Sequence, residues 1–261
     1  MSKHVRLHHF SGGRFQLEDV PVVQEAALTL YVNGQELVTL LCTPSKLESL
    51  VVGFLAFEGI IQGIENIRSL TVEDLFGYAD VRLTTDFVPP KRRVYTSGCG
   101  GGITFSLETH DSAARWDNGT VDPASLCLLI RELYRVAHAY RESRGIHTAA
   151  LAEGDKLLIV AEDVGRHNAI DKVCGEAMFR GIPTTGKILL TTGRISSEML
   201  RKGAHMGTPI VVSRTSATTL SVDLAKRLGL TLIGYVREDS FYVYSHPERL
   251  LASRPAPVPS R

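Results

Sequence analysis

The sequence predicts an α/β protein in two parts: a smaller α+β N-terminal domain, then a domain built on a mainly parallel sheet with helices on both faces. Three observations carry this. From Lys156 to Val236, short apolar strand patterns and amphipathic helical patterns alternate with connections of only a few residues, the order that yields parallel strands with helices packed across them. From Glu25 to Thr84 the order is instead hairpin, helix, strand, strand. Between these halves lies a stretch that fits neither: Pro89-Pro90-Lys91-Arg92-Arg93, then Thr96-Ser97-Gly98-Cys99-Gly100-Gly101-Gly102. The seam falls at or shortly after it, which predicts domains over 1–112 and 113–250.

In the first domain, apolar and polar residues alternate from Glu25 to Thr43, interrupted by Asn33-Gly34, the dipeptide a type I′ turn prefers. A β-hairpin follows. Thr43-Pro44 then reads as an N-cap with proline at the first helical position, and Leu47, Leu50, Val51, Phe54 and Leu55 share one face of a helix that Gly59 stops. Ile67 to Val72 and Tyr78 to Thr84 alternate as two further strands with one wet face.

In the second domain, Asp122-Pro123 repeats the cap-plus-proline signal, and Leu126, Leu129, Ile130, Leu133, Val136 and Tyr140 outline one long helix ending before Gly145. Thr148–Leu151 and Lys156–Ala161 read as a strand pair across Glu153-Gly154. Further strands are expected at Lys187–Thr192, Ile210–Ser213 and Thr231–Val236, with helices near Asn168–Arg180, Ser196–His205 and Thr218–Leu228. Phe241 to Tyr244 adds an edge strand, and the proline-rich end, residues 251–261, is expected to be a disordered tail.

Composition narrows the function. With 261 residues, 44% of them apolar, the chain buries a real core, and a formal net charge of +1 gives no whole-molecule argument for nucleic acid or an anionic membrane as partner. The longest apolar runs, such as Leu157 to Ala161, are too short to span a bilayer, and Met1 to Arg6 lacks the apolar core of a signal peptide, so a cytoplasmic location is expected. The four cysteines form no C-x-x-C pair, so neither a disulfide framework nor a structural zinc site is signalled. Cys42, Cys127 and Cys174 sit in apolar patterns and read as core.

Cys99 is different. Four glycines around one thiol suit a loop with unusual backbone angles or close approach of another molecule, and the nearby cations Lys91, Arg92 and Arg93 favour the reactive thiolate. The plainer reading is a small apolar residue in a glycine-rich turn.

In open α/β sheets, ligands bind beyond the carboxyl ends of the strands. The segments at those ends are Glu162 to Lys172, Thr192 to Met199, Ser213 to Thr219, and Tyr235 to Ser240. Three of them join an arginine and hydroxyl or amide residues to a helix start, an arrangement suited to phosphate. Individually each has an ordinary explanation: Asn168, Ser196 and Thr218 are good N-caps and Gly165 and Gly193 turn glycines. Together on one sheet edge they predict a phosphate-rich ligand, although no Walker A sequence and no G-x-G-x-x-G is present. His167 reads either as a base or partner that lowers the pKa of Cys99, or as a strut. Glu162-Asp163 reads as a ligand to metal or guanine N–H groups, or as partners of Arg166 and Lys172, the second being favoured.

With these segments in hand the sequence resembles the FdhD family of formate dehydrogenase accessory sulfurtransferases, through Glu162–Lys172 (EDVGRHNAIDK), Gly193–Met199 (GRISSEM), Ser213–Leu220 and Tyr235-Val236-Arg237, in that order. The resemblance implies a three-layer α/β/α C-terminal domain similar to the cytidine deaminase fold, a smaller α+β N-terminal domain, and a homodimer. It further implies that Cys99 receives persulfide sulfur from a cysteine desulfurase and passes it to the molybdenum (or tungsten) bis(molybdopterin guanine dinucleotide) cofactor, the bound substrate, before insertion into formate dehydrogenase. No metal is then ligated directly by the protein. The implied cofactor-binding residues are Arg166, His167 and Asn168; Arg194, Ser196 and Ser197; Ser213, Thr215 and Ser216; and Tyr235, Val236, Arg237, Glu238, Asp239 and Ser240.

One departure matters. Many members carry C-G-x-C on the loop, whereas here Gly102 stands three residues after Cys99, so a mechanism requiring two loop thiols cannot operate. A chaperone that binds the cofactor without transferring sulfur is therefore the alternative, and a Cys99–His167 hydrolase a remote third. A zinc deaminase is rejected on residues: His246-Pro247-Glu248 matches H-x-E, but no P-C-x-x-C follows.

Overall fold

The computed structural model describes residues 2–89, the backbone of 94–95 and 103–104, and residues 120–250. Cys99, the expected seam near 112 and the expected tail lie outside the described residues. In chain order the elements are strands β1 (Ser2–Ser11), β2 (Arg14–Val23), β3 (Ala26–Val32) and β4 (Gln35–Cys42), helix α1 (Leu47–Phe57), then β5 (Ile67–Glu73), β6 (Tyr78–Leu83), β7 (Val94–Tyr95) and β8 (Ile103–Thr104). Helices α2 (Pro123–Val136) and α3 (His138–Ser143), strands β9 (His147–Glu153) and β10 (Lys156–Asp163) and helix α4 (Arg166–Phe179) follow. The chain finishes with β11 (Ile188–Thr191), α5 (Ser197–His205), β12 (Ile210–Ser213), α6 (Thr219–Leu228), β13 (Thr231–Gly234) and β14 (Tyr242–Ser245). Two compact units result: Met1–Leu107 with Tyr134–Ala149 and Ala161–Ile182, and Glu108–Leu133 with Ala150–Val160 and Pro183–Arg261.

The first unit holds a sheet of order β4-β3-β6-β5. Asn33 and Gly34 take φ of 49° and 81°, the two positive angles of the expected I′ turn, and Val32 pairs with Gln35 across it. Leu28, Leu30 and Val81 of the sheet and Leu50, Phe54 and Leu55 of α1 bury together as its core. Helices α1 and α4 cross at glycine contacts: a Cβ on Gly53 would meet the Asp171 carbonyl oxygen at 1.8 Å, and one on Gly175 the Ser49 carbonyl oxygen at 2.0 Å. Only a residue without a side chain permits that approach.

Four sequence expectations need correction here. Thr43-Pro44 does not cap α1, which starts after Lys46 in the left-handed region. Thr43 is instead fully buried, its N–H donating to Asp163 Oδ2 (3.0 Å) and its hydroxyl accepting from the Val164 N–H (3.1 Å). Asn168 is not an N-cap either; Gly165 holds that position, and the Asn168 amide donates to the Leu41 carbonyl (2.9 Å) and Asp163 Oδ1 (3.0 Å). The single long helix expected before Gly145 is two, because Ala137 swings to ψ 82°. The break is satisfied by Glu162, whose carboxylate accepts the N–H groups of Ala139 (3.1 Å) and Tyr140 (2.9 Å), a charge placed at a helix start as the peptide dipoles favour. Finally, β1 and β2 form a hairpin of ten-residue strands that the reading above does not contain.

In the second unit the sheet order is β10-β9-β11-β12-β13-β14, with β9 and β10 entering through Ala150–Glu153 and Lys156–Val160. β11, β12 and β13 are parallel, as the alternation predicts, and β14 is the antiparallel edge. Every residue of β11, β12 and β13 is buried, which a strand achieves only when both faces are covered. The caps of α5 and α6 are those expected: Ser196 Oγ accepts from the Met199 N–H, and Thr218 Oγ1 from the Ser221 N–H. Among the described residues no helix is long and apolar enough to cross a membrane.

Candidate functional site

Each group of site residues is built by its own unit. In the first, β10 runs directly into α4, and its last two residues are structural. Asp163 and Lys172 have side chains with 0% exposure and pair at 2.6 Å, and Lys172 Nζ also donates to the carbonyls of Thr43 (3.0 Å) and Glu162 (3.3 Å). The acidic pair thus follows the favoured reading: Glu162 takes backbone N–H groups of α3 and Asp163 pairs with Lys172. Arg166, the first residue of α4, is buried; His167 and Asn168 are half-buried. The sequence reading missed His147, at the start of β9, whose imidazole pKa is lowered by burial, then by the Arg166 charge, with Asp163 opposing. A half-buried histidine beside an arginine stays neutral at pH 7 and offers one donor and one acceptor. Cys42 is shut off chemically: burial, then the Asp163 charge, pushes its thiol up to about 12.

In the second unit the loops after β11, β12 and β13 form one ledge, locked mostly by main-chain bonds. The Ile195 N–H donates to the Ser216 carbonyl (3.0 Å), the Thr218 N–H to the Ile195 carbonyl (3.1 Å), and the Tyr235 N–H to the Thr215 carbonyl (2.9 Å). Ser213 is consumed in this lock. Its hydroxyl donates to the Gly193 carbonyl (2.7 Å) and accepts from the Thr215 N–H (3.0 Å). Ser196 is likewise spent on its cap, and Val236 is buried, so these three residues shape the ledge without offering side chains from it. Arg194 is exposed, and Ser197, Thr215 and Ser216 are half-buried.

Beyond the ledge the chain turns at Tyr235, which adopts φ 55°, an uncommon angle for a side-chain-bearing residue. Gly234 just before it has no room for a Cβ, which would stand 2.8 Å from both the Thr215 carbonyl oxygen and Tyr244 Cε2. The turn is held by Arg237, whose guanidinium donates to the Arg214 carbonyl (2.9 Å) and the Val236 carbonyl (3.1 Å) and whose N–H donates to the Ser240 carbonyl (2.8 Å). Tyr235, Arg237, Ser240, Phe241, Tyr242 and Tyr244 line an open cavity of about 810 Å³. Tyr235 meets Tyr242 edge-on at 5.9 Å, and the Arg237 guanidinium carbon lies 6.0 Å from the Tyr235 ring centre. Burial, then Tyr235, raises the Tyr244 phenol pKa, so it remains a neutral hydroxyl. Glu238 and Asp239 are exposed on the same turn. Four aromatic rings and one cation suit a flat heteroaromatic ring carrying negative charge. Phe241, Tyr242 and Tyr244 were legible only as an edge strand; three aromatics within seven residues of Arg237 were the signal for their second role.

Cys99 lies outside the described residues. The strands on either side of it in sequence, β7 and β8, pair antiparallel with Val94 opposite Thr104 and Tyr95 opposite Ile103.

The comparisons agree with one another. Residues 23–251 match the FdhD/NarQ family. Proteins named Sulfur carrier protein FdhD are similar over most of their length: one from Staphylococcus haemolyticus is 39% identical, covering 88% of this chain and 90% of its own, and one from Bacillus subtilis is 38% identical, covering 88% and 90%. A Bacillus pumilus protein of the same name is 36% identical, covering 94% and 95%. A crystal structure described as a formate dehydrogenase accessory protein from Desulfotalea psychrophila is 29% identical, with a TM-score of 0.78, over 96% of this chain and 99% of the other. This chain, with its parallel β11–β13 core and the ledge at its carboxyl end, belongs to the FdhD/NarQ family.

Proposed function

We propose that the protein is a sulfur carrier for formate dehydrogenase that receives sulfur on Cys99 and delivers it to a bound bis(molybdopterin guanine dinucleotide) cofactor. The relatives' shared name supports the carrier role, and the Tyr235–Arg237 cavity supports a guanine-bearing substrate: ring faces for the base and a guanidinium for phosphate. In the first step the Cys99 thiolate attacks the outer sulfur of a desulfurase persulfide. The sulfur–sulfur bond of the donor breaks, the desulfurase leaves as thiolate, and Cys99 holds the new persulfide with no net oxidation. Release of that sulfur as sulfide needs two electrons. Gly102 leaves no second loop thiol to supply them by closing a disulfide onto Cys99, so they come from the acceptor or an external thiol.

The reading includes a homodimer in the cytoplasm and a three-layer, cytidine deaminase-like arrangement of the second domain. Gly102 favours one other reading, a cofactor chaperone that transfers no sulfur. The test is complementation of cells lacking their own carrier: Cys99→Ser keeps guanine-dinucleotide binding and abolishes formate dehydrogenase activation, whereas retained activation contradicts sulfur transfer.

A further inference from the structure

Tyr244 stands at the junction between the aromatic cavity and the ledge. Gly234 has no side chain, and Tyr244 leans towards the space one would take: a Cβ there would lie 2.8 Å from Tyr244 Cε2 and 3.4 Å from its phenol oxygen. The ring therefore runs from β14 across β13, with its oxygen at the loop that follows β12. Ile195 bonds to Ser216 and Thr218, on either side of Ala217, so the Ala217 N–H points away from that ladder. The Tyr244 oxygen accepts it. A phenol oxygen that has accepted a backbone N–H turns its own proton elsewhere, and no group among the described residues receives that proton.

Arg237 is tethered to the same loop. Its Nη1 donates to the carbonyls of Arg214 (2.9 Å) and Val236 (3.1 Å), which leaves the Nε and Nη2 edge of the fork for a ligand. Tyr244 and Arg237 both line the cavity, and the backbone of residues 214–217 holds the inner side of each. The most open ring faces are those of Tyr235 and Tyr242, 41% and 67% exposed, and they are the surfaces for a flat base. At the ledge end the cavity presents donors instead, and donors without acceptors suit an anion. Glu238 and Asp239 are exposed on the same turn, so a phenolate at Tyr244 would add a third negative charge beside that anion. Burial, then the neighbouring Tyr235, holds the phenol pKa above its ordinary value, and the hydroxyl remains a neutral donor at pH 7.

We infer that Tyr244 is a phosphate-binding residue: its hydroxyl and the outer edge of the Arg237 guanidinium clamp one phosphoryl group of a nucleoside diphosphate at the ledge end of the cavity. The inference rests on the guanine-nucleotide reading for what the rings hold, and on the Tyr244–Arg237 geometry for the phosphate.

The test is binding calorimetry on the full chain, wild type and Tyr244→Phe, a change that keeps the ring over Gly234 and removes only the hydroxyl. The probes are GDP, guanosine, ADP and inorganic pyrophosphate, with melting temperature as the folding control. Tyr244→Phe is expected to weaken GDP and pyrophosphate about tenfold or more, the loss of one hydrogen bond to a charged group, and to change guanosine by less than about twofold. Unchanged GDP affinity in Tyr244→Phe, or guanosine weakened as much as GDP, overturns the inference. A wild type that binds ADP as tightly as GDP contradicts the guanine reading alone, because the Tyr244→Phe loss is then read equally on either diphosphate. A wild type that binds neither diphosphate overturns both.

Discussion

The ammonium of Lys172 on α4 lies 2.6 Å from the carboxylate of Asp163 at the end of β10, and neither side chain reaches solvent. Asp163 also takes the N–H groups of Thr43 and Gly165 and the amide of Asn168, so one carboxylate ties β4's exit, the turn after β10 and the first turn of α4. Removing one charge strands the other. Lys172→Met is expected to destabilise the protein by roughly 3–5 kcal/mol, read from urea unfolding at pH 7. A loss below about 1 kcal/mol contradicts the role given to this pair.

The α1–α4 crossing makes a sharper prediction. Both Gly53 and Gly175 face a backbone carbonyl rather than a pliable side chain, so the neighbouring helix must move to admit even a methyl group. Gly53→Ala and Gly175→Ala should each cost at least about 1–3 kcal/mol, the range for overpacking, or prevent folding altogether. Gly154→Ala, in open space at φ +58°, carries only the cost of its backbone angle and serves as comparison.

His147 predicts a pH dependence. Its folded pKa lies below the ordinary 6.5, so the unfolded chain binds a proton there that the native chain resists. The unfolded state then binds more protons, and stability falls as pH drops through 6.5, levelling once the native imidazole is also protonated. At pH 7 and above the group contributes no slope. His147→Asn should flatten the wild-type decline between pH 7 and 5. An unchanged decline would assign it to other groups.

Thiol chemistry should single out Cys99. Cys42, Cys127 and Cys174 are buried, the Cys42 thiol is raised to about 12, and burial raises Cys127 as well. A high pKa leaves almost no thiolate at neutral pH. Brief alkylation of the native protein should therefore modify one residue, identified by peptide mapping as Cys99, with none modified in Cys99→Ser. Rapid labelling of Cys42 would contradict the burial seen here.

Periodicity and caps located the regular elements because the information is local. Asn33-Gly34 carries its turn in two residues, Ser196 and Thr218 carry their caps, and the apolar runs of β11 to β13 announce strands buried on both sides. Where a distant residue decides, local signals mislead. Thr43-Pro44 looks like a cap until Asp163, far along the chain, claims its N–H, and the helix over Leu126 to Tyr140 looks continuous until Glu162 rewards a break at Ala137. The β1–β2 hairpin was within reach, since Gly12-Gly13 stands between alternating runs, and both glycines take the positive φ that a I′ turn requires. At the site, Tyr235 and Arg237 line the open cavity, whereas the hydroxyls of Ser196 and Ser213 fasten the ledge. A hydroxyl that binds ligand and one that binds a carbonyl are identical in sequence.

The most direct test of sulfur carriage is intact-protein mass spectrometry after incubation with an active cysteine desulfurase and free cysteine. The account predicts a gain of one sulfur, removed by reductant and absent from Cys99→Ser. No gain on the wild type, with the same desulfurase loading another acceptor in parallel, would contradict it and leave a cofactor chaperone in its place.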